Sequence, residues 1–205
     1  VPAPRITFVG SSAALDPRRA AIAIGPETRV CVLATAAAFR GPHLAIEDVR
    51  ERLAACGATV SAVAGLDRAS AHDAATIGDV TSADVVILVD GAALHARSVW
   101  RATPLGAALR SARLIAIGSS GSVLGETMID PRGGAPTTGL GFFQGVVLGV
   151  ATGAEESSRT RGLLGDDVVF VQLGPNSVVI YDGQWHADVP DDLVVTRGAH
   201  LVELE

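Results

Sequence analysis

Aromatic side chains are scarce in this chain: five Phe, two Trp and one Tyr make up 4% of 205 residues. A core with so few rings must be built from Val, Leu, Ile and Ala, which suits strands buried on both faces of a parallel sheet between helices. Basic runs are missing too, and the formal net charge is -6. Nothing here has the footprint of a nucleic-acid binder, and a small neutral or cationic ligand is easier to accommodate than a polyanion. No uninterrupted apolar run reaches the length of a membrane span, so no membrane partner is expected. With no disulfide framework in view, the cytoplasm is the expected compartment. Only two cysteines occur, Cys31 and Cys56. Their apolar surroundings read as packing positions holding reduced thiols, not a disulfide or metal pair. No His/Cys/Asp spacing resembles a zinc site. Gly10-Ser11-Ser12 is not followed by the Gly-Lys-Ser/Thr of a phosphate loop. No metal and no cofactor is expected.

What is present is a globular composition, 48% hydrophobic and 19% charged. Over roughly the first 125 residues strands and helices alternate. RITFVG, RVCVLATAAA, ATVSAVAG, SADVVILVDG and LIAIG read as five strands. Between the second and third, Pro42 opens and Gly57 closes a helix with Leu44, Val49, Leu53 and Cys56 on its apolar stripe and an Asp48–Arg52 pair on its wet face. ALHARSVWRA and TPLGAALRSA read as helices, the second with Thr103 as N-cap and Pro104 in first position. Such alternation implies right-handed crossovers and a mostly parallel sheet in a three-layer α/β sandwich. Beyond Asp130 a Gly/Pro-rich loop, a strand, a short helix at EESSRTRGLL and several turn-linked strands follow. They are expected to add antiparallel strands to the parallel core. The expected organisation is one α/β domain over 1–205, with the parallel core in 1–130 and the antiparallel addition in 131–205.

The stretch LIAIGSSGSV raises the chemical question. Small residues stand two before and two after Ser120, at Gly118 and Ser122, as a nucleophile elbow requires. An apolar strand precedes it, and VLGETMI after it can form the helix that an elbow leads into. The Gly121 amide would then stand at a helix N-terminus as an oxyanion donor. Equally, Gly and Ser make good turns with no chemistry at all.

In the order of its motifs the chain resembles the cyanophycinase and dipeptidase E family of serine peptidases, which have the class I glutamine amidotransferase-like, flavodoxin-like fold. LIAIGSSGSV stands where the family has a strand followed by Gly-Thr/Trp-Ser-Ala-Gly-Ala. VVILVDGAAL stands where it has Gly-Gly-Asp/Asn-Gln. VCVLATAAA is similar to its strand ending Pro-Thr-Ala, TPLGAAL to its Thr-Pro-Leu helix and GLGFFQGVV to its Gly-Leu-Gly-Leu-Leu-Pro-Gly stretch. Arg159 and Arg161 match an Arg-x-Arg that follows the catalytic histidine. The resemblance implies Ser120 as nucleophile and the Gly91 and Gly121 amides as oxyanion donors. It places Asp90, Ala92, Ser119, Arg159 and Arg161 beside a small peptide or amino-acid-like ligand, with His95 at the rim. Monomer and homodimer are both open.

One element is absent. Aligned from Gly139 the family's histidine falls on Ala151, aligned from Arg159 it falls on Glu155, and no histidine lies between Ser120 and His186. A serine hydroxyl without a base loses several orders of magnitude in rate. Asp90-Gly91-Ala92-Ala93 also departs from Gly-Gly-Asp/Asn-Gln. The leading expectation is therefore a catalytically impaired homologue that binds a small peptide or amino-acid-like ligand or acts as a scaffold. The alternative is an active serine hydrolase with a displaced base, His95, His186 or Glu155, and with Glu126 or Asp130 placed for the triad acid. Glutamine amidotransfer is disfavoured, because that chemistry needs a cysteine at the elbow.

Overall fold

The computed structural model describes residues 4–151, 154–189, 192–198 and 200–204. The chain runs through β1 (Ile6–Val9), β2 (Arg29–Leu33), α1 (Pro42–Leu53), β3 (Thr59–Val63), α2 (Ala74–Ser82) and β4 (Val85–Leu88). Next come α3 (Ala93–Trp100), α4 (Pro104–Ser111), β5 (Leu114–Ile117) and a single turn, α5 (Ser119–Ser122). After them lie β6 (Thr127–Ile129), β7 (Pro136–Thr138), β8 (Val146–Val150), α6 (Ala154–Leu163) and β9 (Val169–Leu173). The strands β10 (Val178–Tyr181), β11 (Trp185–Val189), β12 (Val194–Arg197) and β13 (His200–Leu201) complete the order.

The five strands read from the sequence form the parallel part of a seven-stranded sheet ordered β11-β10-β1-β5-β4-β2-β3. The runs of β1, β2, β4 and β5 are predominantly apolar because both faces are covered, whereas the edge strand β3 carries Thr59 and Ser61 and buries only Val63. Val30, Val32, Val85, Ile87, Ile115 and Ile117 face Val49 and Leu53 of α1 together with Ile22 and Ile24 of the β1–β2 connection. Phe8, Cys31, Leu33, Val86, Leu88 and Ala116 face the other way, onto Val99, Trp100, Leu105 and Leu109 of α3 and α4. The two sets alternate along each strand with the period of two that a pleated backbone imposes.

Helix ends follow the sequence signals. The Thr103 hydroxyl accepts from the Gly106 N–H at 3.2 Å and Pro104 occupies the first position of α4. Arg52 and Asp48 pair at 3.1 Å on α1. Leu44 departs from its expected place on the buried stripe and is 63% exposed, since α1 turns only its second half, Val49 and Leu53, onto the sheet.

The C-terminal region differs from the simple antiparallel addition. The β10–β11 hairpin does extend the main sheet antiparallel to β1. The remaining strands form a second sheet ordered β13-β12-β9-β8, and within it β8 and β9 run parallel, joined across α6. Leu148, Val171 and Leu173 of this sheet share one hydrophobic cluster with Phe8 and Leu88. Four of the few aromatics meet at the junction. Phe8 stacks on Trp185 at 5.6 Å, and Phe143 stands edge-on to both, 5.7 Å from Phe8 and 5.0 Å from Trp185, with Tyr181 4.8 Å from Trp185. Such contacts add stability beyond the area they bury.

Among the described residues no helix is long and apolar enough to cross a membrane. Cys31 is fully buried in β2, and burial pushes its thiol up to about 11. Cys56 is half-buried, and its Sγ donates to the Leu53 carbonyl at 3.0 Å.

Candidate functional site

In a doubly wound sheet, ligands sit beyond the carboxyl ends of the strands where the strand order reverses. Here β2 leads outward to β3 and β4 leads back toward β5, so the reversal lies between β2 and β4. The loops at that point are packed backbone to backbone. The Ala92 N–H donates to the Ala36 carbonyl at 2.7 Å, and a side chain on Gly91 (φ 152) would overlap that same carbonyl. Glycine at 91 is therefore needed for a close approach of two loops.

The strand-to-helix corner lies next to it. β5 ends at Ile117 and α5 starts at Ser119, so the joint is Gly118, with φ 56 and ψ -130, a conformation that side-chain-bearing residues rarely adopt. A nucleophile elbow places its nucleophile on that strained joint. Ser120 is two residues further on, inside the turn. It is fully buried, and its Oγ lies 3.0 Å from the Leu88 carbonyl and 2.9 Å from the Ile117 carbonyl. The hydroxyl expected at the tip instead ties the corner to the ends of β4 and β5.

A carboxylate occupies the space above the joint. A Cβ built on Gly118 would come within 2.5 Å of Asp90 Oδ1 and 2.6 Å of its Cγ. The Ser119 N–H donates to Asp90 Oδ1 at 2.8 Å. Ser119 Oγ lies 2.6 Å from Asp90 Oδ1 and 2.6 Å from the Gly91 carbonyl, and it accepts from the Gly91 N–H at 3.3 Å. The Gly121 N–H is likewise engaged, donating to the Gly118 carbonyl at 3.1 Å. Each amide expected to receive an oxyanion already has an acceptor from the chain itself. Gly121 has a packing reason for its identity, because a Cβ there would stand 2.8 Å from the Phe8 ring.

The remaining expected residues are dispersed. His95, on α3, places Nε2 2.7 Å from the Leu66 carbonyl and packs against Phe39, ring centroids 4.7 Å apart. His186 is exposed on the β10–β11 hairpin, 3.7 Å from Asp182. Glu126 is exposed, and Asp130 Oδ1 accepts from the Arg132 N–H at 2.9 Å within its own turn. Glu155 belongs to the first turn of α6, and its side chain lies outside the described residues. Arg159 is exposed and Arg161 half-buried on the same helix, whereas Thr160 between them is 3% exposed. Of the residues read from the sequence, the structure brings together Asp90, Gly91, Ser119 and Ser120 at the corner. Gly118, read from the sequence as a small residue flanking the corner, is the joint itself, a place where only glycine adopts such a φ without strain.

A cavity of about 170 Å3 opens beside the corner, with Ser119 and Ser122 on one side and Leu148, Val150 and Phe170 of the second sheet on the other. A wider cleft of about 400 Å3 between α4 and residues 138–142 shares no lining residue with it. In that cleft the Arg110 guanidinium is engaged with the Leu140 and Gly141 carbonyls and lies over the Phe142 ring. Among the described residues no group of three or more His, Cys, Asp or Glu could hold a metal ion.

No protein-family model matches the chain, and no curated protein matches it. Solved structures do. A peptidase from an acI-B1 Actinobacterium superposes with a TM-score of 0.76 at 14% identity, covering 98% of this chain and 93% of that one. A protein assigned to Peptidase E from Listeria monocytogenes EGD-e superposes with a TM-score of 0.63 at 10% identity, covering 95% of this chain and 98% of that one. The chain has the mixed α/β, flavodoxin-like fold of these peptidases.

Proposed function

We propose that this protein is a non-hydrolytic relative of the peptidases whose fold it has, and that it binds a small peptide or amino-acid-like ligand at the Asp90–Ser119 corner. One observation carries the reading: the strained joint where an elbow places its nucleophile is Gly118, and the Asp90 carboxylate stands over it. Acyl transfer at such a joint needs a hydroxyl there, a base to take its proton, and free amides to receive the oxyanion. The joint has no side chain, the Ser120 hydroxyl is directed at two main-chain carbonyls, and the Ser119 N–H already serves an anion. An approaching carbonyl oxygen would have to displace a carboxylate from that amide.

A second reading rests on Ser119, whose Oγ is 2.6 Å from Asp90 Oδ1 and which lines the cavity. In it Ser119 is the nucleophile of a hydrolase and Asp90 takes its proton. The experiment that separates the two is prolonged incubation of the protein with a broad dipeptide panel, read by mass spectrometry. No cleavage above the no-protein control is expected. Turnover that disappears in Ser119→Ala would establish the second reading in place of the first.

A further inference from the structure

The cavity beside the corner has a chemistry of its own. Leu148 and Phe170 are almost fully buried in its wall, Val150 ends β8, and Ile129 of β6 also lines it. The ring of Phe170 approaches β8 closely where residue 149 is glycine; a Cβ there would stand 3.0 Å from the ring. Three hydroxyl-bearing residues line the cavity, Ser119, Ser122 and Thr160. The first two are committed elsewhere, since Ser122 Oγ donates to the Ser119 carbonyl at 2.8 Å and Ser119 Oγ serves Asp90 and Gly91. No charged side chain among the described residues lines the space. A charged side chain seated among Leu148, Val150 and Phe170 would find no opposite charge among the described lining residues, and burying a charge unpaired is costly. An apolar cavity of about 150 Å3 accommodates a benzene-sized guest, and this one is about 170 Å3.

We propose that this cavity is the side-chain pocket of the bound ligand and selects an uncharged apolar side chain of leucine or phenylalanine size, leaving the polar end of the ligand at Ser119 and Asp90. The proposal rests on the ligand-binding reading above and adds the class of ligand. It is tested by calorimetric titration of the whole protein with three probes that share one backbone: L-phenylalaninamide, L-leucinamide and the α-amide of L-aspartate.

The two apolar amides are expected to bind saturably, at least about tenfold more tightly than the aspartate amide. Val150→Trp fills the cavity from a half-exposed position and is expected to abolish binding. Ile129→Phe fills it from β6 and is expected to do the same, with circular dichroism melting to verify that both variants fold. Equal or tighter binding of the aspartate amide overturns the proposal, as does the absence of saturable binding by any probe, or binding that survives in both folded variants. Release of ammonia from a bound amide would overturn the non-hydrolytic reading instead, and saturable apolar binding in that experiment would still support the pocket.

Discussion

Asp90 Oδ1 accepts the Ser119 N–H at 2.8 Å, and the same carboxylate fills the space that a side chain on Gly118 would need. Two residues 29 positions apart are thereby interlocked at the ends of neighbouring parallel strands. The identity of each is tied to the other: a side chain at 118 would collide with Asp90, and the Ser119 amide would lack its anion without it. The interlock closes the strand-to-helix corner at the ends of β4 and β5, and both of its amide-bearing residues are held by groups of the chain itself.

Because collision and backbone strain contribute together, the interlock is measurable as a coupling. Gly118→Ala is expected to destabilise the protein by about 2–3 kcal/mol, from positive φ and overlap with the carboxylate. Asp90→Ala is expected to cost about 1 kcal/mol through the lost charge-assisted bonds. In the double variant the overlap is gone, so the sum of the single effects should exceed the measured loss by about 1 kcal/mol. Urea unfolding of the four proteins gives the cycle, and strict additivity would mean that the two residues do not constrain one another.

Ser120→Ala tests the structural role of that hydroxyl. Removing its bonds to the Leu88 and Ile117 carbonyls is expected to lower stability by about 1 kcal/mol. The comparison that matters is with Ser119→Ala, since Ser119 lines the cavity proposed to take the ligand's side chain. Apolar-amide affinity is expected to change several-fold in Ser119→Ala and to stay within about twofold of wild type in Ser120→Ala, by calorimetry. The reverse ranking would place the functional hydroxyl at 120.

Much of this arrangement is legible in the sequence, and the rest is hidden for specific reasons. The five parallel strands announce themselves as short Val/Ile/Leu runs, and the Thr103-Pro104 start of α4 by its capping chemistry. The register of the corner is ambiguous, because small residues flank Gly118 at Ala116 and Ser120 just as they flank Ser120 at Gly118 and Ser122. Only the dihedral angles choose between them. The helix expected over VLGETMI does not form: α5 ends at Ser122 and Thr127–Ile129 become β6, because distant residues capture the carbonyls that would continue the turn, with Leu140, Phe142 and Gly141 donating to Val123, Leu124 and Gly125. Local propensity has no knowledge of that pairing. The parallel β8–β9 pair was foreshadowed by a strand, helix and strand in succession, a signal outweighed by the many turns around it.

The contact between Gly121 and Phe8 gives a prediction whose sign runs against propensity. In an open helical turn, Gly→Ala gains about 0.5–1 kcal/mol. Here a Cβ would stand 2.8 Å from the Phe8 ring, so Gly121→Ala is expected to cost about 1–3 kcal/mol by thermal or urea unfolding. Phe8→Leu in the same chain should recover part of that loss. Stabilisation by Gly121→Ala would contradict the packing described for the corner.

Alkaline pH probes the buried face of the main sheet. Burial raises the Cys31 thiol from 9.0 to about 11. A folded value above the unfolded one means that this contribution to stability is complete below about pH 9 and is lost as the pH rises toward 11. The urea midpoint is expected to fall over that interval, and Cys31→Val should flatten the fall. At pH 8 a thiol reagent should modify half-buried Cys56 well before Cys31, as intact mass and peptide mapping would report.

The most direct test of the central claim is intact-mass analysis after exposure to a fluorophosphonate probe, with a known serine hydrolase in the same tube as a positive control. On the proposed non-hydrolytic reading, a corner whose joint is glycine and whose following amide is held by a carboxylate offers no activated serine to phosphonylate. The expected result is a labelled control and an unmodified protein. Stoichiometric labelling that vanishes in Ser119→Ala or Ser120→Ala would contradict the account and establish that one of these hydroxyls is an active nucleophile.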